Sequence, residues 1–179
     1  MKIIILIGSI RKGRKSDRVA RFFYDLIRRE GIGDPEIVDL KEYNFPLFEE
    51  RLKFLEIFPD GLKEFADKIR NAGGIIIVTP EYNGGYPASL KNVIDVLYEE
   101  WRGKPVGIVS VSSGMLGGAQ VLTSLEFTLW KMGVTVVTAM FPVRKVEESY
   151  DEAGNPADRE NTEKAALKFM EQFLKTKAP

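Results

Sequence analysis

Short apolar runs alternate with stretches of helical period along almost the whole chain. Lys2–Ile7 is a β-branched run closed by Gly8, which predicts a buried strand. From Ser16 to Glu30, Val19, Ala20, Phe23 and Ile27 fall on one helical face, and Gly31 ends the pattern. Glu36–Leu40 predicts a second, weaker strand. Asp60–Asn71 carries Leu62, Phe65, Ala66 and Ile69 at helical spacing and is closed by Gly73-Gly74. Ile75–Thr79 is apolar until Pro80 and predicts the most continuous strand. Pro87–Trp101 predicts a helix, with Leu90, Ile94, Leu97 and Tyr98 on one face. Pro105–Val111 predicts a strand, Ala119–Met132 a helix, and Val134–Ala139 a fifth strand. Arg159–Lys175 predicts a last amphipathic helix, with Ala166, Phe169, Met170 and Phe173 on its apolar face.

Strands that are apolar throughout and separated by helices imply a parallel sheet covered on both faces. About five such units in this order predict an α/β fold: a flavodoxin-like, doubly wound, five-stranded parallel sheet of order 2-1-3-4-5. One domain is expected to span residues 1–179. Ligands of such sheets bind beyond the carboxyl ends of the strands, where the strand order reverses. That points to the loops after Ile7, Val78 and Val111. Two connections are long, Lys41–Pro59 and Pro142–Asp158. The first holds Tyr43, Phe45, Phe48, Phe54 and Phe58, so it is expected to cover a partner or the site. The helix Pro87–Trp101 is apolar beyond one stripe, through Val93, Val96, Leu97, Tyr98 and Trp101. It therefore predicts a homodimer through this helix, or a homotetramer built from such dimers.

Composition removes several kinds of chemistry. The chain has no cysteine and no histidine. Disulfides, thiolate nucleophiles and histidine-based triads are excluded, and no metal site or catalytic side chain is predicted. Lys plus Arg and Asp plus Glu balance at 26 each, so no basic excess suggests nucleic acid. The opening apolar run Ile3–Ile7 is too short for a signal-peptide core, and no run reaches the length of a membrane span. A cytoplasmic protein without membrane contact, acting on small molecules, is expected.

The loop after the first strand reads Gly8-Ser9-Ile10-Arg11-Lys12-Gly13-Arg14-Lys15-Ser16. It joins a strand to a helix N-terminus, where free N–H groups and the helix dipole favour an anion. Ser9 and Ser16 add hydroxyls, and Arg11 and Arg14 add charge. A phosphate suits these groups, although a solvated basic turn capped by Ser16 uses the same residues. Arg14 separates Gly13 from Lys15 and breaks the spacing of a nucleotide-hydrolase P-loop, and no G-x-G-x-x-G follows the strand. After the third strand, Pro80-Glu81-Tyr82-Asn83-Gly84-Gly85-Tyr86-Pro87 combines flexible backbone with flat aromatic faces. That suits a planar heterocycle as well as a tight turn before a helix. After the fourth, Ser112-Ser113-Gly114-Met115-Leu116-Gly117-Gly118 again brings small residues to a helix N-terminus. Together the three loops fit a mononucleotide that carries a planar ring.

These motifs resemble the NADPH-dependent FMN reductase family. The resemblance rests on Gly8-Ser9-Ile10-Arg11, on Pro80-Glu81-Tyr82-Asn83 followed by Pro87-Ala88-Ser89-Leu90-Lys91-Asn92-Val93-Ile94-Asp95, and on Ser113-Gly114 with Gly117-Gly118. It implies that Ser9, Arg11 and Ser16, with Arg14 nearby, bind the phosphate of FMN. It also implies that Pro80, Glu81, Tyr82, Asn83 and Gly84 line the isoalloxazine, that Ser113 and Gly114 meet its pyrimidine edge, and that Gly117 belongs to the same cofactor-binding set. Relatives carry S-x-N where Ser16-Asp17-Arg18 stands here, so Arg18 replaces an expected Asn. The implied activity is hydride transfer from NADPH or NADH through FMN to quinones, azo compounds, metal oxyanions or free flavin, by a ping-pong mechanism. The same loops would also serve an FMN-binding electron carrier or redox sensor without NAD(P)H turnover.

Overall fold

The computed structural model describes residues 1–176. Six strands form one parallel sheet: β1 (Lys2–Ile7), β2 (Asp34–Asp39), β3 (Gly74–Pro80), β4 (Pro105–Val111), β5 (Thr135–Val136) and β6 (Phe141–Val143). Their order is β2-β1-β3-β4-β5, with β6 also paired to β4, which is the doubly wound arrangement expected. Seven helices flank it: α1 (Ser16–Arg29), α2 (Leu40–Tyr43), α3 (Leu62–Asn71), α4 (Ala88–Val96), α5 (Ala119–Lys131), α6 (Val146–Ser149) and α7 (Arg159–Lys175).

Alternate residues of each strand feed two cores. Ile4, Leu6, Ile75, Ile77 and Ile108 meet α3, α4 and α5 on one face. Ile3, Ile5, Ile7, Ile76 and Val109 meet α1 and α7 on the other. Ile3, Ile4, Ile5 and Leu6 are fully buried, and each contributes roughly 1.5–3 kcal/mol relative to exposure. On the α1/α7 face, Phe23 meets the rings of Phe22, Phe141 and Phe169 edge-on at 5.1–5.6 Å.

Three expectations change. The helix over Pro87–Trp101 stops at Val96: Leu97 is extended, and Glu99–Trp101 form a 3₁₀ turn. The Tyr98 N–H then donates to Glu100 Oε2 at 3.2 Å, and Leu97 and Trp101 are fully buried in this chain's own core. Val93 and Val96 are buried there too, so the apolar surplus that suggested a dimer through this helix is used internally. The fifth strand is also split. Val137 N–H still donates to Val106 O at 2.9 Å, but the chain then leaves the ladder and rejoins it at Phe141. Pro142 lacks an N–H, which an edge position tolerates. Most of the early part of the expected loop Pro142–Asp158 is thereby β6 and α6. In the other long connection, Tyr43 and Phe45 stack at 5.1 Å and both pack on Phe65. Asn92 of α4 pins the loop, accepting from Phe48 N–H at 2.6 Å and donating to Pro46 O at 2.7 Å. Phe54 remains exposed.

Among the described residues, no helix is long and apolar enough to cross a membrane, and no group of three or more His, Cys, Asp or Glu could hold a metal.

Candidate functional site

A cleft of about 430 Å³ opens beyond the carboxyl ends of β1, β3 and β4. Its floor and walls include Arg11, Ser16, Pro80, Glu81, Tyr82, Ser113 and Gly114. The first loop brings α1 to it end-on. The cap residue Lys15 makes no side-chain bond to that helix end. Arg18 N–H donates to Lys15 O at 3.2 Å, while the N–H groups of Ser16 and Asp17 at the start of the helix have no intrahelical acceptor and offer partial positive charge. Ser16 Oγ is buried here with no hydrogen-bond partner among the described residues. A buried hydroxyl left unpaired costs free energy, so its position marks where a polar ligand atom belongs.

Neighbouring side chains divide into those that face the cleft and those that build it. Arg11 is exposed, with its guanidinium carbon 6.0 Å from the centroid of the Tyr82 ring, and it has no ion-pair partner among the described residues. Arg14 is committed elsewhere. Its guanidinium forks onto both carboxylate oxygens of Asp39 at the end of β2, at 2.7 Å to Oδ1, and donates to Ser9 O at 2.5 Å. Charge-assisted forked pairing is strong and directional, so Arg14 braces the loop from the cleft wall, its guanidinium tied to Asp39 and Ser9 O. Ser9 is fully buried, outside the cleft lining. Its hydroxyl shares a 2.7 Å bond with the Tyr82 hydroxyl and accepts from Arg11 N–H at 3.3 Å. It ties the first loop to the second. Arg18, in place of the expected Asn, donates to Tyr150 O at 2.8 Å, away from the cleft. Burial pushes the Tyr150 phenol up from its ordinary pKa.

The second loop is a two-residue hairpin. Tyr82 and Gly85 exchange N–H···O bonds of 2.8 and 3.1 Å. The residues between them, Asn83 and Gly84, have φ of 52° and 79°. Positive φ at both positions is what a tight turn of this hand requires, and Asn and Gly bear it best. Both residues form the tip of the turn and do not line the cleft. Glu81 has a structural task. Its Oε2 accepts from Gln120 N–H at 2.9 Å and Val121 N–H at 3.3 Å, the open N-terminus of α5. The cap residue of α5 is Gly118, left-handed at φ 75°, which has no side chain to cap with. Glu81 supplies the cap from the neighbouring loop and locks the two loops together. Tyr86 adds a second tie, its hydroxyl 2.8 Å from Thr128 Oγ1 of α5.

The third loop is laced to the segment after β6. Ser112 N–H donates to Val143 O and Val146 N–H donates to Ser112 O, both at 3.0 Å, while Gly114 N–H donates to Ser112 Oγ at 3.0 Å. Gly117 lies behind the cleft, where Ser110 Oγ donates to its carbonyl at 2.6 Å. Of the residues expected from the sequence, then, Arg11, Arg14, Ser16, Pro80, Glu81, Tyr82, Ser113 and Gly114 line the cleft, Arg14 and Glu81 with their charged ends tied to other parts of the chain. Ser9, Asn83, Gly84 and Gly117 lie outside the lining and shape it. Sequence reasoning missed Asp39 as the partner of Arg14, and Val146 and Glu147, which line the cleft from α6. Glu147 had no signal, because its segment looked like a loop remote from the sheet.

A larger groove of about 560 Å³ runs along β6 and α7. Its lining is mostly apolar, and the nearby N-terminus of α7 is already capped by Asp158, whose Oδ1 accepts from Asn161 N–H at 3.2 Å. The smaller cleft, with an uncapped helix end and an orphaned hydroxyl, is the better site for a charged ligand despite its size.

The chain has relatives among flavin-dependent and quinone reductases. FerB of Paracoccus denitrificans, a flavoenzyme NAD(P)H:(acceptor) oxidoreductase, shares the fold with a TM-score of 0.81, 23% identity and 98% coverage of both chains. An NAD(P)H-dependent FMN reductase of Schizosaccharomyces pombe is 35% identical over 143 residues, 78% of this chain and 70% of its own. A quinone reductase of Escherichia coli is 37% identical over 126 residues, 67% of this chain and 64% of its own. Residues 1–148, which contain every loop around the cleft, match one family throughout. On that match the chain belongs to the NADPH-dependent FMN reductases.

Proposed function

We propose that the chain is an FMN-dependent NAD(P)H oxidoreductase. Reducing equivalents pass from NADPH or NADH to small acceptors such as quinones, azo compounds, metal oxyanions or free flavin. The observation that carries this reading is the buried, unpartnered Ser16 hydroxyl at the uncapped N-terminus of α1, with Arg11 beside it. An FMN phosphate fits these donors: a hydroxyl, first-turn N–H groups and a free guanidinium. Tyr82, Pro80, Ser113 and Gly114 would accommodate the ring-bearing part. When bound, the flavin supplies the hydride chemistry. The protein binds and orients through three loops fixed to one another by Ser9–Tyr82, Glu81–α5 and Tyr86–Thr128. Ser112–Gly114 is held in turn by the segment after β6. No step asks a protein side chain to yield a proton. One domain carries the whole site.

One open cleft serves nicotinamide and acceptor in turn, which gives ping-pong turnover. Protein loaded with FMN is expected to be yellow, to bleach on anaerobic addition of NADPH, and to recover colour when a quinone follows. Double-reciprocal plots of rate at several quinone concentrations should be parallel. Intersecting lines would remove the ping-pong mechanism. Bleaching absent at all NADPH and NADH concentrations would leave an FMN-binding electron carrier.

Exposed apolar residues on α5 support self-association through a different surface from the one the sequence suggested. Phe127 and Trp130 of α5 are 63% and 64% exposed, with ring centroids 5.9 Å apart. Met115 and Leu116, in the loop leading into α5, are exposed as well. A second copy meeting this face isologously would cover it. Light scattering at micromolar concentration is expected to show a homodimer or a tetramer of dimers, and Phe127→Glu with Trp130→Glu should shift it to monomer. A wild-type monomer, or a double variant that assembles unchanged, contradicts this interface.

A further inference from the structure

We infer that Glu147 is an internal competitor for a cation that the cofactor phosphate would use, and thereby keeps FMN exchangeable. The inference rests on the FMN reading above and adds a residue that sets cofactor affinity. Glu147 is the second residue of α6 and lines the cleft opposite the loop after β1. Its Oε1 lies 3.4 Å from Lys15 Nζ, so an ion pair crosses between the two sides of the cleft. The side chains are 29% exposed for Lys15 and 58% for Glu147, so both remain free to swing.

A carboxylate is an unusual lining for a phosphate cleft, and the surrounding charges make it matter. Arg14 is held by Asp39 and Ser9 O. Arg18 is held by Tyr150 O, with Glu152 at 3.8 Å. Glu81 caps α5. Of the cations on the first loop that line the cleft, Arg11 and Lys15 are left for an incoming dianion, and Lys15 is already paired with Glu147. The backbone that carries Glu147 is fixed. Lys145, at φ 40°, donates its N–H to Gly114 O at 3.2 Å, and Val146 N–H is bonded to Ser112 O at 3.0 Å. The backbone therefore holds Glu147 within reach of the cleft and of Lys15. Phosphate entry either takes Lys15 away from Glu147 or brings two like charges together. Both routes weaken binding of a phosphorylated flavin and neither touches riboflavin, which lacks the phosphate.

The test is stopped-flow and equilibrium fluorescence of apo-protein with FMN and with riboflavin, for wild type, Glu147→Gln and Glu148→Gln. Glu148 neighbours Glu147 on the same short helix but pairs with Lys145 at 3.0 Å and is 71% exposed. Glu147→Gln is expected to tighten FMN about 3-fold to 10-fold, chiefly through slower release. The gain should shrink in about 0.5 M salt, because partly exposed charges are screened. Riboflavin affinity and the response of Glu148→Gln should stay within about 2-fold of wild type. An unchanged FMN affinity in Glu147→Gln, an equal gain for riboflavin, or an equal gain in Glu148→Gln overturns the inference while leaving the FMN site standing. A wild-type protein that binds FMN no better than riboflavin removes the phosphate site itself, and the inference with it.

Discussion

Replacing Arg11 by alanine is expected to weaken FMN binding about 10-fold to 150-fold and to leave riboflavin binding nearly unchanged. The guanidinium is exposed, pairs with no carboxylate among the described residues, and hangs near the Tyr82 face at the mouth of the cleft. It can turn to a phosphate without breaking an existing ion pair. The dipole at the N-terminus of α1 provides only partial charge against a group close to a dianion. A forked, charge-assisted pair to phosphate adds roughly 1.5–3 kcal/mol. The Ala variant keeps the backbone N–H bond to Ser9 Oγ, so the loop itself should survive. Arg11→Lys should recover part of the loss, since it restores charge without the fork. Fluorescence titration with both flavins reads the result. A loss equal for FMN and riboflavin would place Arg11 against the ring and not the phosphate.

Much of the architecture was legible because strands buried on both faces are apolar throughout and the helices carry one stripe. β1, β3 and β4 and helices α1 and α7 emerge within a residue or two of where the pattern put them. The strand-end rule then placed the cleft, and the glycine-rich loops marked its walls. What the sequence hid was the direction of side chains whose partners are remote. Arg14 looked like a phosphate ligand by proximity to Arg11, yet Asp39, 25 residues away, captures it. Glu81 sat in a motif associated with the ring, yet the capless glycine start of α5, 39 residues on, takes its carboxylate. Helix ends were hidden for the same reason. Nothing in the apolar spacing of Val93, Leu97 and Trp101 distinguishes a continuous helix from one that breaks at Leu97 to bury the same residues. A helix apolar on two sides reads as an interface when its second neighbour is a strand or turn of its own chain.

Arg14→Ala is expected to cost about 2–4 kcal/mol of stability, with most of it caused by the carboxylate left behind. The side chains of Arg14 and Asp39 are only 11% and 14% exposed. Once the guanidinium is gone, Asp39 keeps a bond from Lys41 N–H at 2.9 Å but loses its neutralising charge. For a chain of this size that corresponds to a melting point lower by roughly 4–16 °C. Combining Arg14→Ala with Asp39→Asn removes the stranded charge and retains an oxygen that can accept from Lys41 N–H. The double variant should therefore be more stable than Arg14→Ala alone, with a coupling of about 1–3 kcal/mol in the double-mutant cycle. FMN affinity separates the two roles open to Arg14. As a brace for the loop, Arg14 needs Asp39, so Asp39→Asn should weaken FMN binding in the same direction as Arg14→Ala. As a phosphate ligand, Arg14 would be released by Asp39→Asn, and FMN would bind more tightly. The geometry, with both guanidinium nitrogens on Asp39 and one also on Ser9 O, fixes the expected sign as a loss in both variants. Thermal unfolding and FMN titration of the two single variants and the double variant measure it, and a gain in Asp39→Asn would return Arg14 to the phosphate.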